Sequence, residues 1–259
     1  MVHGGSINLA PADDKIIDVE HPLSIDAEGQ LLASVMAKKY SVGANHVLID
    51  IPMGKSTKAR TMSEAKHLKK MFELIGRKLS MNVRVIITDG SHPIGKVIGP
   101  LLEAEDVMAV LRNDPLAPVD LKEKSLMMAG ILLEMAKCCT MGEGRKLAQE
   151  MLDSGKALKK MNEIIDAQGR QKKPALGEHH YPVHSEKSGK IMEIDNEVIA
   201  KIARIAGAPD DKGAGLYLIK RFHDKVHKGE LLYTVYAENG FKLSLAKEFL
   251  AKNNGYAVK

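Results

Sequence analysis

The sequence predicts an α/β fold, a partial and mostly parallel sheet flanked by helices, followed by a small α+β domain with an antiparallel sheet. Two observations carry the first half of that expectation. Residues 46–53 (HVLIDIPM) and 83–88 are short apolar, β-branched runs, each closed by a turn signal, and an amphipathic helix lies between them. Strand, helix, strand is a βαβ unit, whose strands run parallel. The third observation is a change of character after the basic segment GRQKKPALG at 169–177, beyond which short strand-like runs dominate. The domains are therefore placed at 1–176 and 177–259.

In chain order, residues 1–22 open with Gly4-Gly5 and a loop-like NLAPADD, an abrupt start for a domain. From 27 to 40, Leu31, Leu32, Val35 and Met36 recur at helical spacing, with Asp26 as a plausible N-cap. Residues 63–80 form the amphipathic helix of the βαβ unit, and Thr61-x-x-Glu64 matches a capping box at its start. Helices follow at 101–112, 121–137 and 145–168, separated by Pro and Gly. The last region reads as strands at 181–185, 189–195, 215–222 and 230–237, with helices at 196–206 and 243–252.

Composition narrows the function classes. The 259 residues are 44% hydrophobic, so the chain has the apolar content of a globular fold. No apolar run reaches membrane-spanning length and no signal-peptide pattern opens the chain, so the cytoplasm is the expected compartment, with no membrane partner. A net charge of +5 suits an anionic ligand. The basic residues are scattered among acidic ones and aromatics are only 4%, which argues against nucleic acid. Cys138 and Cys139 are adjacent, a poor arrangement for a disulfide and too few for structural zinc.

Three groups are candidates for chemistry. Gly54-Lys55-Ser56-Thr57 resembles the end of a phosphate-binding P-loop, but Ile49 stands where that loop needs glycine. An anion contact through Lys55, Lys58 and Arg60 and a plain solvated loop are equally compatible with the spacing. His180 and His184 fall on one strand face about 13 Å apart, too far to share an ion, and with His179 they read as surface histidines. Asp26, Ser34 and Lys38 are spaced to bring an acid, a hydroxyl and a cation together, with Ser34 and Lys38 one helical turn apart. Spacing alone favours the plainer reading of cap, surface serine and solvated lysine.

Residues 2–60, together with LLEMAK at 132–137, SGKALKKMNEIIDAQG at 154–169 and the segment 185–215, resemble the archaeal AMP phosphorylases, the nucleotide-using branch of the thymidine phosphorylase family. The resemblance implies a pentosyltransferase in which phosphate attacks the anomeric carbon of a nucleoside monophosphate; AMP would yield adenine and ribose 1,5-bisphosphate. It implies Asp26 as proton donor, Ser34 as a base contact and Lys58 as a nucleotide-binding lysine. Lys38 matches the base-contacting lysine of the thymidine-specific relatives. No cofactor is implied. The family's glycine-rich phosphate loop and its Ser-Arg-Ala-Ile-Thr segment do not occur here, and His3 and His21 stand where relatives carry Trp and Arg. The chain is thus expected to be an inactive C-terminal half, prone to self-association into a homo-oligomer through the surface a missing N-terminal half would cover. The competing expectations are a thymidine-type phosphorylase, or a non-catalytic subunit completing a site with a separate N-terminal half.

Overall fold

The computed structural model describes residues 27–259 and, ahead of them, Pro11, Lys15 and Ile16. Helix α1 (Glu28–Ser41) leads into strand β1 (His46–Met53); helix α2 (Met62–Lys78) then returns the chain to strand β2 (Asn82–Asp89). The strands pair in parallel without a register shift, from His46 opposite Asn82 to Met53 opposite Asp89. Val47, Ile49 and Ile51 alternate along β1 onto one face. There they meet Leu32 and Met36 of α1 and Leu68 and Phe72 of α2 in one apolar cluster.

The start of α2 follows its sequence. The Thr61 hydroxyl accepts the Glu64 N–H at 3.2 Å, and the Glu64 carboxylate accepts the N–H of Thr61 at 3.3 Å and of Arg60 at 2.7 Å. This is the expected reciprocal capping box. At α1 the cap differs from expectation. The N-cap position falls on Ala27, which makes no side-chain cap bond. Asp26, the expected cap, lies outside the described residues.

Strand β3 (Val97–Ile98) was not legible in the sequence and precedes four helices: α3 (Pro100–Leu111), α4 (Val119–Met135), α5 (Gly144–Asp153) and α6 (Lys156–Ala167). The sequence predicts one helix over 145–168; the structure breaks it. Gly155 sits in the left-handed region at φ 72°, which caps α5 and restarts the chain as α6. Cys138 and Cys139 follow α4 as free thiols.

Residues 169–177 carry neither helix nor strand. Beyond them come β4 (His179–His184), β5 (Gly189–Ile194), helix α7 (Asn196–Ala206), β6 (Gly215–Leu218), β7 (Lys225–Val226), β8 (Leu231–Ala237), helix α8 (Gly240–Leu250) and β9 (Tyr256–Val258). They form two sheets, ordered β3-β6-β8-β4 and β7-β5-β9, with every pairing antiparallel. Tyr233, Leu232, Ile191, Ile202 and Leu216 are fully enclosed between these sheets and helices. Because β3 pairs with β6, the sheet of the second region takes a strand from the first. A register shift between Val183 and His184 interrupts β4. Such an irregularity breaks the strict alternation on which the shared face of His180 and His184 was expected.

Candidate functional site

Ser34 and Lys38 both lie on α1 and are half-buried. With Leu31 and Val35 they follow the i, i+3, i+4, i+7 spacing that defines one helix face. The structure thus holds Ser34 and Lys38 on one side of one element, as the spacing implies. The third member of that set, Asp26, lies outside the described residues.

Lys58 is exposed and stands in the loop joining β1 to α2, beyond the carboxyl end of β1. That is where ligands bind in open α/β sheets. The loop is a tight turn: Gly54 N–H donates to the Ala59 carbonyl at 3.1 Å, and the Thr57 hydroxyl reaches the Gly54 and Ala59 carbonyls at 3.0 and 2.8 Å. Thr57 is thus engaged within its own loop, and Lys55 pairs with Glu193 at 3.0 Å. That hydrogen bond and the carboxylate charge raise the Lys55 pKa. Lys58 of the same loop lines a cavity.

It lines two. The first, of about 460 Å³, is walled by Glu28 and Leu31 of α1 and by Ser63, Glu64 and His67 of α2. His67 Nε2 lies 2.9 Å from Glu28 Oε1 and ties the two helices across it. The amide hydrogens of Arg60 and Thr61 stabilise the ionised Glu64 and lower its pKa. The second cavity, of about 290 Å³, lies between Leu31, Val35 and Lys39 of α1, residues 48–52 of β1, and Leu68 and Phe72 of α2. The lining of neither cavity includes Ser34 or Lys38.

A polar group that the sequence did not single out joins the middle of β1 to the carboxyl end of β2. Lys124 Nζ of α4 lies 2.5 Å from Asp50 Oδ2 and 3.1 Å from Thr88 Oγ1; the Thr88 hydroxyl donates to Asp50 Oδ1 at 2.7 Å. Beside it a cavity of about 260 Å³ is lined by Thr88, Asp89, His92, Asp120 and Lys124. Asp120 pairs with Arg221, and His92 stacks on Phe222 at 4.8 Å. The Ser91 N–H holds the Asp89 carboxyl below its usual pKa. The only sequence signal for this cluster is position: Thr88 and Asp89 fall at the carboxyl end of a parallel strand, whereas Asp50 lies within β1. Lys124 gives no such signal, because it comes from a distant helix.

His179, His180 and His184 are all exposed, and among the described residues no group of three His, Cys, Asp or Glu side chains is placed to hold a metal. No helix among these residues is long and apolar enough to cross a membrane.

Residues 190–257 match the family described as pyrimidine nucleoside phosphorylase C-terminal domain. Nearly the whole chain is similar to longer proteins. It is 46% identical over 256 residues to one from Methylococcus capsulatus, covering 98% of this chain and 50% of that protein. It is 48% identical over 259 residues to one from Rhodopseudomonas palustris, covering 100% and 50%. For one from Legionella pneumophila the figures are 45% over 250 residues, covering 96% and 48%. Each of the three is named "Putative thymidine phosphorylase". The chain spans about half the length of the curated relatives it matches. The substrate in the relatives' names is thymidine, the second choice of the sequence reading; none of the three names mentions AMP.

Proposed function

We propose that these residues supply the base-binding side of a phosphorylase acting on nucleoside monophosphates, with AMP as substrate. Phosphate oxygen forms a bond to the anomeric carbon as the bond from that carbon to the base nitrogen breaks. The bonding pair leaves with the base, which takes up a proton. AMP and phosphate give adenine and ribose 1,5-bisphosphate. Asp26 is the acid that delivers the proton, which requires a pKa raised towards neutrality. Ser34 and Lys38 hydrogen-bond the base, and Lys58 holds the nucleotide from the loop beyond β1. The reaction needs no cofactor. The observation that supports the reading best is the 46% identity to a named phosphorylase over 98% of the chain. The relatives' names favour thymidine as a second reading.

The 259 residues on their own are not expected to turn over. They contain no glycine-rich phosphate loop, and positioning of the nucleophile accounts for about 7–11 kcal/mol of barrier reduction in favourable cases. A self-associated, cytoplasmic protein that works with a phosphate-binding half is the setting proposed here; sedimentation of the purified chain as a monomer would remove the self-association.

The deciding assay joins the chain to the unmatched half of the Methylococcus capsulatus relative and follows base release by chromatography. Adenine should appear from AMP in proportion to added phosphate, faster than thymine from thymidine. Asp26→Asn should slow release by about 10²–10⁴-fold. Faster release from thymidine would transfer the assignment to the second reading. Phosphorolysis at full rate by the 259 residues alone would refute the division of the site.

A further inference from the structure

The loop that carries Lys58 rests on the first residue after β2. Gly90 N–H donates to the Met53 carbonyl at 2.8 Å, and the two segments meet through glycines. A Cβ on Gly54 would lie 2.7 Å from the Gly90 carbonyl oxygen; one on Gly90 would lie 2.8 Å from Pro52 Cβ and 2.9 Å from Thr57 Cγ2. Neither position has room for a side chain, so a displaced Gly90 displaces Gly54 and Thr57. Thr57 and Ala59 flank Lys58 on either side. Ala59 is fully buried and bridges to Met53, and the Thr57 hydroxyl reaches the Ala59 carbonyl at 2.8 Å. The backbone of Lys58 therefore follows Gly90.

Gly90 is in turn held from the second region. Asn196 Nδ2 donates to its carbonyl at 3.0 Å. Asn196 is the first residue of α7, and that end of the helix is firmly anchored. The Asp195 N–H donates to the Gly255 carbonyl at 2.8 Å, and the Asp195 carboxylate accepts the N–H of Glu197 and Val198 at 3.0 and 3.2 Å. Ile194 and Ile199, on either side, are buried in the second apolar cluster. The Lys55–Glu193 pair spans the same gap, but its side chains are 80% and 46% exposed, so it contributes little. We propose that Asn196 is a positioning residue for the phosphorylase reaction: it fixes Gly90, and through Gly90 the loop that presents Lys58 to the nucleotide. The role of Lys58 rests on the phosphorylase reading; the path from Asn196 to its loop does not. Lys58 holds the nucleotide before and during reaction alike, so a loosened loop raises KM and leaves kcat.

The test uses Asn196→Asp, which keeps the size, cannot donate when ionised and suits a helix N-terminus, so α7 is not weakened. Asn196→Ala, which also lacks the donor but adds no charge, is the second variant and should give the same pattern. Amide-resolved hydrogen exchange on the 259-residue chain should show Gly54, Thr57 and Gly90 exchanging about 3–10-fold faster, with the amides of α7 and β8 unchanged. In the chain joined to the unmatched half of the Methylococcus capsulatus relative, KM for AMP should rise about 3–10-fold at constant kcat. In a Lys58→Ala background the same substitution should leave KM where Lys58→Ala has put it. Unchanged exchange in the loop, faster exchange spread through α7, or an equal rise in KM with and without Lys58 would each overturn the proposal. Turnover by the joined parent with KM unmoved in both variants keeps the phosphorylase reading and removes this one. No base release from AMP or thymidine by the joined parent removes that reading, and exchange in the loop then decides alone whether Asn196 holds it.

Discussion

At the scale of single residues, the best-defined local device is the start of α2. Thr61 and Glu64 each satisfy an amide at the helix start, so Thr61→Ala should lower stability by about 1 kcal/mol, read from urea denaturation. Glu64 adds a pH dependence. Its folded pKa is lowered by the amides it accepts, so its contribution is present above the ordinary carboxylate range and lost as pH falls through the folded value. Glu64→Ala should therefore be less stable than the parent at neutral pH, with the gap closing below about pH 4.5. This device was readable because both partners lie within one helical turn. The Asp50, Thr88 and Lys124 cluster was not readable, because its members meet only after the βαβ unit and α4 have packed. Lys124 is one quarter exposed, so Lys124→Met should cost only about 1–2 kcal/mol. Adding Asp50→Asn should restore part of that loss, and a double-mutant cycle measures how much.

At the scale of elements, strands and helices with strong patterns were legible and short ones were not. β1 falls at 46–53 as its apolar run indicates, whereas β3 is two residues long and exists only because β6 lies beside it. The predicted helix at 145–168 kept its apolar stripe but not its continuity. A 3.6-residue pattern survives a short break, here the two residues Ser154 and Gly155, with Gly155 at φ 72°. The α2–β2 contact turns on a backbone approach at Gly76. A Cβ placed there would lie 2.3 Å from Val83 Cγ2. In an open helix Gly→Ala gains up to about 1 kcal/mol of propensity. Here the clash is larger than that gain, and Gly76→Ala should destabilise by about 1–3 kcal/mol in thermal or urea unfolding. Of the candidate site, the sequence placed Ser34 and Lys38 on one helix face and Lys58 beyond a strand end. It did not show the two cavities that meet at Lys58, since their walls come from three separate elements.

At the scale of the whole molecule, the described residues hold two large apolar clusters that share no residue. One is built from 32–85 around β1, β2 and α2, the other from 183–246 around the antiparallel sheets. What joins their halves is mainly polar. Arg221 pairs with Asp120, Asn196 Nδ2 donates to the Gly90 carbonyl at 3.0 Å, and Lys55 bonds Glu193. The exceptions include the two-residue ladder of β3 with β6, extended by Leu218 N–H to the Lys96 carbonyl at 2.7 Å, the packing of Ile98 against the second cluster, and the stack of His92 on Phe222. Apolar burial is the cooperative term in folding, whereas surface ion pairs contribute little. We therefore propose that 1–176 and 177–259 behave as separate folding units, with β3 as the strand that crosses between them. The second cluster is the better sealed: Leu232, Tyr233, Val235, Ile191 and Ile202 are fully buried, and Tyr233 donates its hydroxyl to the Asn254 carbonyl at 2.6 Å. Urea should then unfold the chain in two steps, with amides of β8 and α7 exchanging last and those of β1 and α2 opening earlier. Arg221→Met, which removes the pair with Asp120, should move the two steps further apart without changing the order. A single transition, coincident for amides of both regions and unaltered in that variant, would mean that β3 and the polar contacts weld the clusters into one cooperative unit.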